Sequence, residues 1–232
     1  MARLRPAGLL NYLPVLIVAA ILGAFGLLAD EVVEGDTLAF DRMILLWFRD
    51  TVHPEVPLGP LWLQEAVRDV TSLGSVVILT IVAVIAVLNL LLSGERRLAL
   101  YVTATVIGGT IISTVLKIVF DRPRPDIPGA PHVFTASFPS GHATLSAVLY
   151  LTLAAIFSTA TQSRPLKVFY VATGILVTLL VGVSRVYEGV HYPTDVLAGW
   201  MLGSAWALLC WVGAQFLLHR TSATTPPTFS RG

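Results

Sequence analysis

Phe138-Pro139-Ser140-Gly141-His142 stands at the mouth of an apolar run that continues from Ala143 to Ala160. The serine can cap a helix, the glycine adds no side chain beside it, and the histidine brings a titratable ring to the first turn. With Ser140 as cap, the free backbone N–H groups of Gly141 and His142 face outward, where a helix start attracts an anion. Taken alone, the same residues also describe an ordinary capped membrane helix. Two further stretches bear on the choice. Lys117-Ile-Val-Phe-Asp-Arg-Pro-Arg124-Pro125 is a proline-broken exit from an earlier apolar run, and Ser184-Arg185-Val-Tyr-Glu-Gly-Val-His191-Tyr-Pro-Thr-Asp195 follows a later one.

Hydrophobic residues make up 55% of the 232-residue chain and charged residues 12%, with a mean hydropathy of +0.79. That balance belongs to an integral membrane protein rather than a soluble globular domain. A net charge of +1 leaves no basic stripe to neutralise a phosphate backbone, which argues against a nucleic-acid partner. The single cysteine, Cys210, lies in an apolar run, can form no internal disulfide and reads as packing.

The hydropathy pattern predicts an all-α bundle of six membrane-spanning helices with an interfacial helical segment between the first two. Leu9 to Ala29 has the length of a full span, longer than a secretory signal core, and counts as helix 1. Residues 30–70 turn acidic. Within them Phe40, Met43, Ile44, Trp47 and Phe48 recur at helical spacing, opposite Asp41, Arg42, Arg49 and Asp50. That pattern suits a helix lying among headgroups, with Trp47 and Trp62 at their level, or a small cap packed on the bundle. Pro54, Pro57 and Pro60 break the segment.

Further spans are predicted from Ser75 to Leu92, Leu98 to Phe120, Ser140 to Ala160, Val168 to Val183 and Pro193 to Leu218. Gly108, Gly109 and the Gly199-x3-Gly203 pair fit close helix contacts. Prolines at 123, 125, 128, 131 and 139 stiffen the loop between the third and fourth spans. Residues 1–218 thus read as one membrane domain, with residues 30–70 outside the membrane and the motif-bearing core over residues 70–215. Residues 219–232, rich in Thr, Ser and Pro, read as a disordered tail.

Arg3, Arg5, Arg96, Arg97, Arg164, Lys167, Arg220 and Arg231 fall on one side of this arrangement, against Glu95 alone. The positive-inside rule makes that side, with both termini, cytoplasmic. All three quoted stretches meet on the exterior face, the periplasmic one if the membrane is a bacterial inner membrane.

Lys117 and Arg185 sit near the ends of apolar runs, where an ionised group costs less than the roughly 3 kcal/mol of mid-span but still calls for a reason. A lone lysine there snorkels to headgroups. With Arg124, Arg185 and the helix N–H groups directed at the same space, three cations and a helix start make a pocket for a doubly charged phosphoryl group. Asp195 follows His191 in the first turn of a helix, which suits dipole stabilisation, a hydrogen bond that fixes the imidazole tautomer, or both. Arg122, Asp121 and Asp126 could assist but read as loop charges, and Tyr187 and Glu188, which lie between signature residues and could touch a substrate, read as an exposed loop. His53, His132 and His219 carry no role. No carboxylate cluster faces the pocket, so neither a metal nor another cofactor is expected.

In order and spacing the three stretches read K-x6-R-P, P-S-G-H and S-R-x5-H-x3-D. Here the sequence resembles the type 2 phosphatidic acid phosphatase superfamily, which also contains the vanadium haloperoxidases and bacterial acid phosphatases. The resemblance covers residues 70–215 and leaves the first third of the chain without a motif. It implies a membrane lipid phosphatase in which His191 attacks phosphorus to form a phosphohistidine. His142 would protonate the departing alkoxide and then serve as base for water, with Asp195 supporting His191. Lys117, Arg124, Ser140, Gly141 and Arg185 would hold the equatorial oxygens, where charge spreads in a phosphoryl-transfer transition state.

The partners so implied are membrane lipids and a phosphorylated lipid that enters sideways from the outer leaflet. Candidates are phosphatidate, phosphatidylglycerol phosphate, undecaprenyl diphosphate and lipid A phosphate; no feature selects among them or selects an oligomeric state. The haloperoxidase branch is soluble, which six spans oppose. A phosphotransferase would share the covalent intermediate and differ in its acceptor. An anion transporter accounts for the cations but not for two histidines or the Asp195 spacing.

Overall fold

The computed structural model describes residues 7–53, 55–131 and 133–222. These form α1 (Ala7–Glu34), α2 (Leu38–Trp47), α3 (Leu61–Ser72), α4 (Val76–Leu92), α5 (Arg96–Phe120), α6 (Gly141–Ala160), α7 (Arg164–Tyr187) and α8 (Pro193–Ser222). The chain is all-helical, as the hydropathy pattern predicts. Five helices, α1 and α5 to α8, are each long and apolar enough to cross a membrane. A sixth candidate crossing is a bent pair, since α4 has only 17 residues and meets α3 at a 49° bend. Leu92, Leu100, Ile118 and Val119 are exposed, and this apolar exterior is what acyl chains cover in a bilayer. Arg3, Arg5, Pro54, His132 and Arg231 lie outside the described residues. The predicted tail is helical as far as Ser222, because α8 runs past His219, and its remainder also lies outside them.

Local chemistry explains the helix starts. Ser75 caps α4, its Oγ accepting from the Ile78 N–H at 3.3 Å. Ser140 occupies the N-cap position of α6 in extended conformation, yet its hydroxyl makes no capping bond, contrary to the sequence reading. The Ser140 carbonyl serves instead, accepting from the Thr144 N–H at 2.9 Å and from Thr144 Oγ1 at 2.8 Å.

Helix α6 is the axis of the bundle and packs against α4, α5, α7 and α8. In lipid there is little hydrophobic drive between helices, so close backbone approach at small residues does the work. A Cβ at Gly199 would lie 2.8 Å from the Ser140 carbonyl oxygen, and one at Gly203 would lie 2.7 Å from Ala147 Cβ. Gly109 likewise leaves room for Val148, and Gly108 for the Trp206 ring, as predicted for both pairs.

Two apolar clusters then aim the quoted stretches. Leu45, Ala143, Val186, Tyr192 and Val196 join α2, α6, α7 and α8. Ala29, Val32, Phe138 and Ala198 join α1 to the proline-rich loop and α8. Phe138, fully buried, packs edge-on against Phe120 with ring centroids 4.9 Å apart. Burying such a ring contributes about 2–3 kcal/mol and anchors the residues just before Ser140.

The sequence reading of α2 needs correction. Phe40, Met43 and Trp47 are exposed, whereas Asp41, Leu45 and Arg49 are buried. Two of the four charges assigned to the outer, polar face, Asp41 and Arg49, in fact point into the protein. Arg49 donates to the Tyr187 carbonyl oxygen at 3.1 Å, closing the C-terminal end of α7. Phe40, Met43 and Trp47 point outward, while Ile44 and Phe48 pack against the cluster that holds Leu45.

Candidate active site

His191, Asp195, Lys117, Arg124, Ser140, Gly141, His142 and Arg185 all gather at one end of the bundle. They come from the ends of α5, α6, α7 and α8 and the loops between them. His142 lies within electrostatic reach of Arg185, His191, Arg124 and Lys117, and Lys117 within reach of Arg124, Asp195 and Arg185. A Cβ at Gly141 would touch Lys117 Cε at 3.4 Å. The three sequence stretches thus close around one space.

His191 is 1% exposed. Its Nε2 lies 3.1 Å from an Arg124 NH group, and its Nδ1 lies 3.4 Å from Asp195 Oδ2 and 3.3 Å from Ser137 Oγ. A guanidinium can only donate, so Nε2 accepts and the ring proton sits on Nδ1, facing the carboxylate. That tautomer leaves a lone pair on Nε2. Burial pulls His191 down to about 4, against the raising effect of Asp195, so the ring is neutral at ordinary pH.

Asp195 is itself fully buried. Its Oδ2 accepts from the Tyr192 N–H at 2.8 Å and from Ser137 Oγ. Its Oδ1 accepts from Arg122 at 2.6 Å. Its backbone oxygen accepts from the Ser140 N–H at 2.9 Å, tying the start of α8 to the start of α6.

Arg122, read from sequence as a loop charge, is 7% exposed and bridges two carboxylates. One NH group reaches Asp195 and the Thr194 hydroxyl at 2.9 Å; the other reaches Asp41 Oδ2 at 2.8 Å. Asp41 in turn accepts from Thr194 Oγ1 at 2.7 Å and from the Thr194 N–H at 3.1 Å. Burial works to lower Arg122, but Asp195 and Asp41 together hold it above its ordinary value. The chain leaves α5 through Asp121 in the left-handed region, at φ 39°, and that turn sends Arg122 inward. No local pattern marks either residue; the phase of Asp41 beside Leu45 and Arg49 is the one available hint.

The remaining cations are held but not neutralised by carboxylates, with one exception. Lys117 Nζ donates to the Ala136 carbonyl at 2.6 Å. Arg124 donates to the carbonyls of Thr135 and Val190, each at 2.7 Å; burial and then the charge of Arg185 pull it down to about 10. Arg185 pairs with Glu188 at 2.5 Å, and its Nε is buried without a partner. Glu188 is therefore part of the site rather than an exposed loop residue, and burial raises its carboxyl above the usual range despite Arg185. Tyr187 is buried too, its hydroxyl donating to the Leu58 carbonyl at 2.7 Å. Ser140 Oγ is also buried and unpartnered. Among the described residues, no group of three or more His, Cys, Asp or Glu side chains is placed to hold a metal ion.

The family model described as the PAP2 superfamily matches residues 98–218. Phosphatidylglycerophosphatase B of Bacillus subtilis (strain 168) is 33% identical over 144 residues, covering 61% of this chain and 70% of that relative. Undecaprenyl-diphosphatase BcrC of the same organism is 35% identical over 108 residues, covering 44% of this chain and 51% of the relative. Among solved structures, the first transmembrane PAP2 type phosphatidylglycerolphosphate phosphatase from Bacillus subtilis superposes with a TM-score of 0.74. It is 27% identical and matches over 89% of this chain and 98% of its own.

Proposed function

Because this chain belongs to the PAP2 superfamily, and is with that a phosphoric monoester or diphosphate hydrolase of the membrane, we propose that it removes phosphate from a lipid headgroup through a phosphohistidine on His191. The observation that carries this reading is the His191 ring: its proton is held toward Asp195, and its unprotonated Nε2, to which Arg124 donates, faces the cations.

In the first step Nε2 attacks phosphorus, the bond from phosphorus to the lipid oxygen breaks, and His142 gives that oxygen a proton. Asp195 stabilises the positive ring that results. In the second step His142 takes a proton from water, whose oxygen attacks phosphorus and releases inorganic phosphate from His191. Lys117, Arg124, Arg185, the Gly141 N–H and the unpartnered Ser140 hydroxyl hold the three peripheral oxygens, supplying charge where the transition state spreads it.

The site opens at the end of the bundle that the positive-inside rule places outside, with both termini cytoplasmic, in the inner membrane of a bacterium. A lipid would slide its phosphate in from the outer leaflet while its tails stay in hydrocarbon. Phosphatidate, phosphatidylglycerol phosphate and undecaprenyl diphosphate all fit this route, and the last two are the substrates named for the relatives above. The test is phosphate release from detergent-solubilised protein with each lipid, alongside covalent labelling from phosphorus-labelled substrate. Label and release should both vanish in His191→Ala; equal release from that variant would overturn the reading.

A further inference from the structure

We propose that Arg122 and Asp41 are positioning residues for the reaction: they lock the Asp195 carboxylate in the one rotation that presents Oδ2 to His191. This rests on the reading of His191 as the nucleophile.

An aspartate in the first turn of a helix can rotate, and either oxygen could face the ring. Here Oδ1 is taken by Arg122, leaving Oδ2 for Ser137, the Tyr192 N–H and His191. Arg122 cannot itself drift. Its fork is spread between Asp195 and Asp41, Thr37 Oγ1 lies 3.4 Å from one NH group, and the Tyr192 ring lies 4.3 Å from its central carbon. Such a planar, two-sided grip is what a guanidinium provides and a lysine does not.

Asp41 has a separate purpose, which is charge. An isolated Arg122–Asp195 pair would be neutral, and the carboxylate would lend little to the imidazolium formed when His191 takes the phosphoryl group. With Asp41 on its far side, one cation lies between two anions, and a net negative charge remains to stabilise that ring. Asp41 also accepts the Thr194 N–H in the first turn of α8, so it fixes the helix that carries Asp195. The first third of the chain, which carries no motif, thereby supplies a working part of the site.

The experiment measures kcat, KM and the rate of covalent labelling for Arg122→Gln, Asp41→Asn, their double variant and Arg122→Lys, each checked for monodisperse elution in detergent. Loss of a partner that orients a reacting group costs about 10–100-fold. Arg122→Gln should lose that much in kcat and in labelling rate with KM nearly unchanged, and Asp41→Asn less. The double variant should be no worse than Arg122→Gln, because both act through one carboxylate. Arg122→Lys should recover little. Should Arg122→Gln fail to fold, Asp41→Asn and Thr194→Val carry the same comparison. Parental kcat in folded variants, losses confined to KM, or losses that multiply in the double variant would overturn the proposal. A covalent label that persists in His191→Ala would instead overturn the underlying reading of the nucleophile.

Discussion

Adding one methyl group to Gly199 should separate packing from catalysis. A Cβ there would meet the Ser140 carbonyl at 2.8 Å, Ala143 Cβ at 2.9 Å and the Thr144 nitrogen at 3.1 Å, where ordinary contact begins at 3.4 Å. Two of these partners are backbone atoms, so relief requires α6 and α8 to part by about 0.6 Å, the gap between 2.8 and 3.4 Å. Overpacking of this kind costs about 1–3 kcal/mol, or roughly 2–12 °C in Tm for a chain of this size. The same movement stretches the bond from the Ser140 N–H to the Asp195 carbonyl, now 2.9 Å, and shifts one histidine against the other. Since a displacement near 1 Å can cost about 100-fold, Gly199→Ala should lose roughly 10–100-fold in kcat. Gly203→Ala presses on Ala147 and Thr144 one turn deeper; its Tm should fall comparably while kcat changes only a few-fold. Gly213→Ala meets nothing within 4 Å and should gain about 0.5–1 kcal/mol from helix propensity. Tm by intrinsic fluorescence in detergent and steady-state phosphate release provide both readouts. Gly199→Ala matching Gly213→Ala in both would refute the packing argument.

Burial holds His191 at about 4 when folded, below its ordinary 6.5. The unfolded chain therefore takes up the proton first, so stability present above about pH 6.5 is lost as pH falls toward 4, by about 3 kcal/mol in all. His191→Asn should flatten that part of the pH dependence of thermal unfolding, and parallel curves for parent and variant would contradict the assignment. Glu188→Gln removes the carboxylate from Arg185 and leaves its charge free for an anion. Inorganic phosphate should then inhibit about 5-fold more tightly, the equivalent of roughly 1 kcal/mol; an unchanged or weaker inhibition constant would show that the pair does not compete with phosphate.

The spans, and the meeting of the three quoted stretches around one space, were legible because each rests on local signals: apolar runs, prolines, and charges at span ends. Ser140 shows the limit of such a signal. Its position at the start of α6 follows from residue type, but whether the hydroxyl caps depends on what lies across from it, and the side chain does not cap. Arg122 and Asp41 were misread for a different reason. Their roles arise from a contact 81 positions apart in sequence, which no periodicity encodes. On α2 and just after it the usual rule that apolar residues face inward holds only in part: Leu45 is buried, but Phe40 and Trp47 face outward while Asp41 and Arg49 are buried.

The arginine gripped by two carboxylates also sets an order of assembly during biosynthesis. Asp41 leaves the ribosome first, Arg122 later and Asp195 last, so for much of synthesis only one acid is available to the newly made guanidinium. Those two can form a neutral couple and wait, and the final helix brings the third member. Until α8 is made the reactive arrangement lacks both His191 and Asp195, so the grip is completed last.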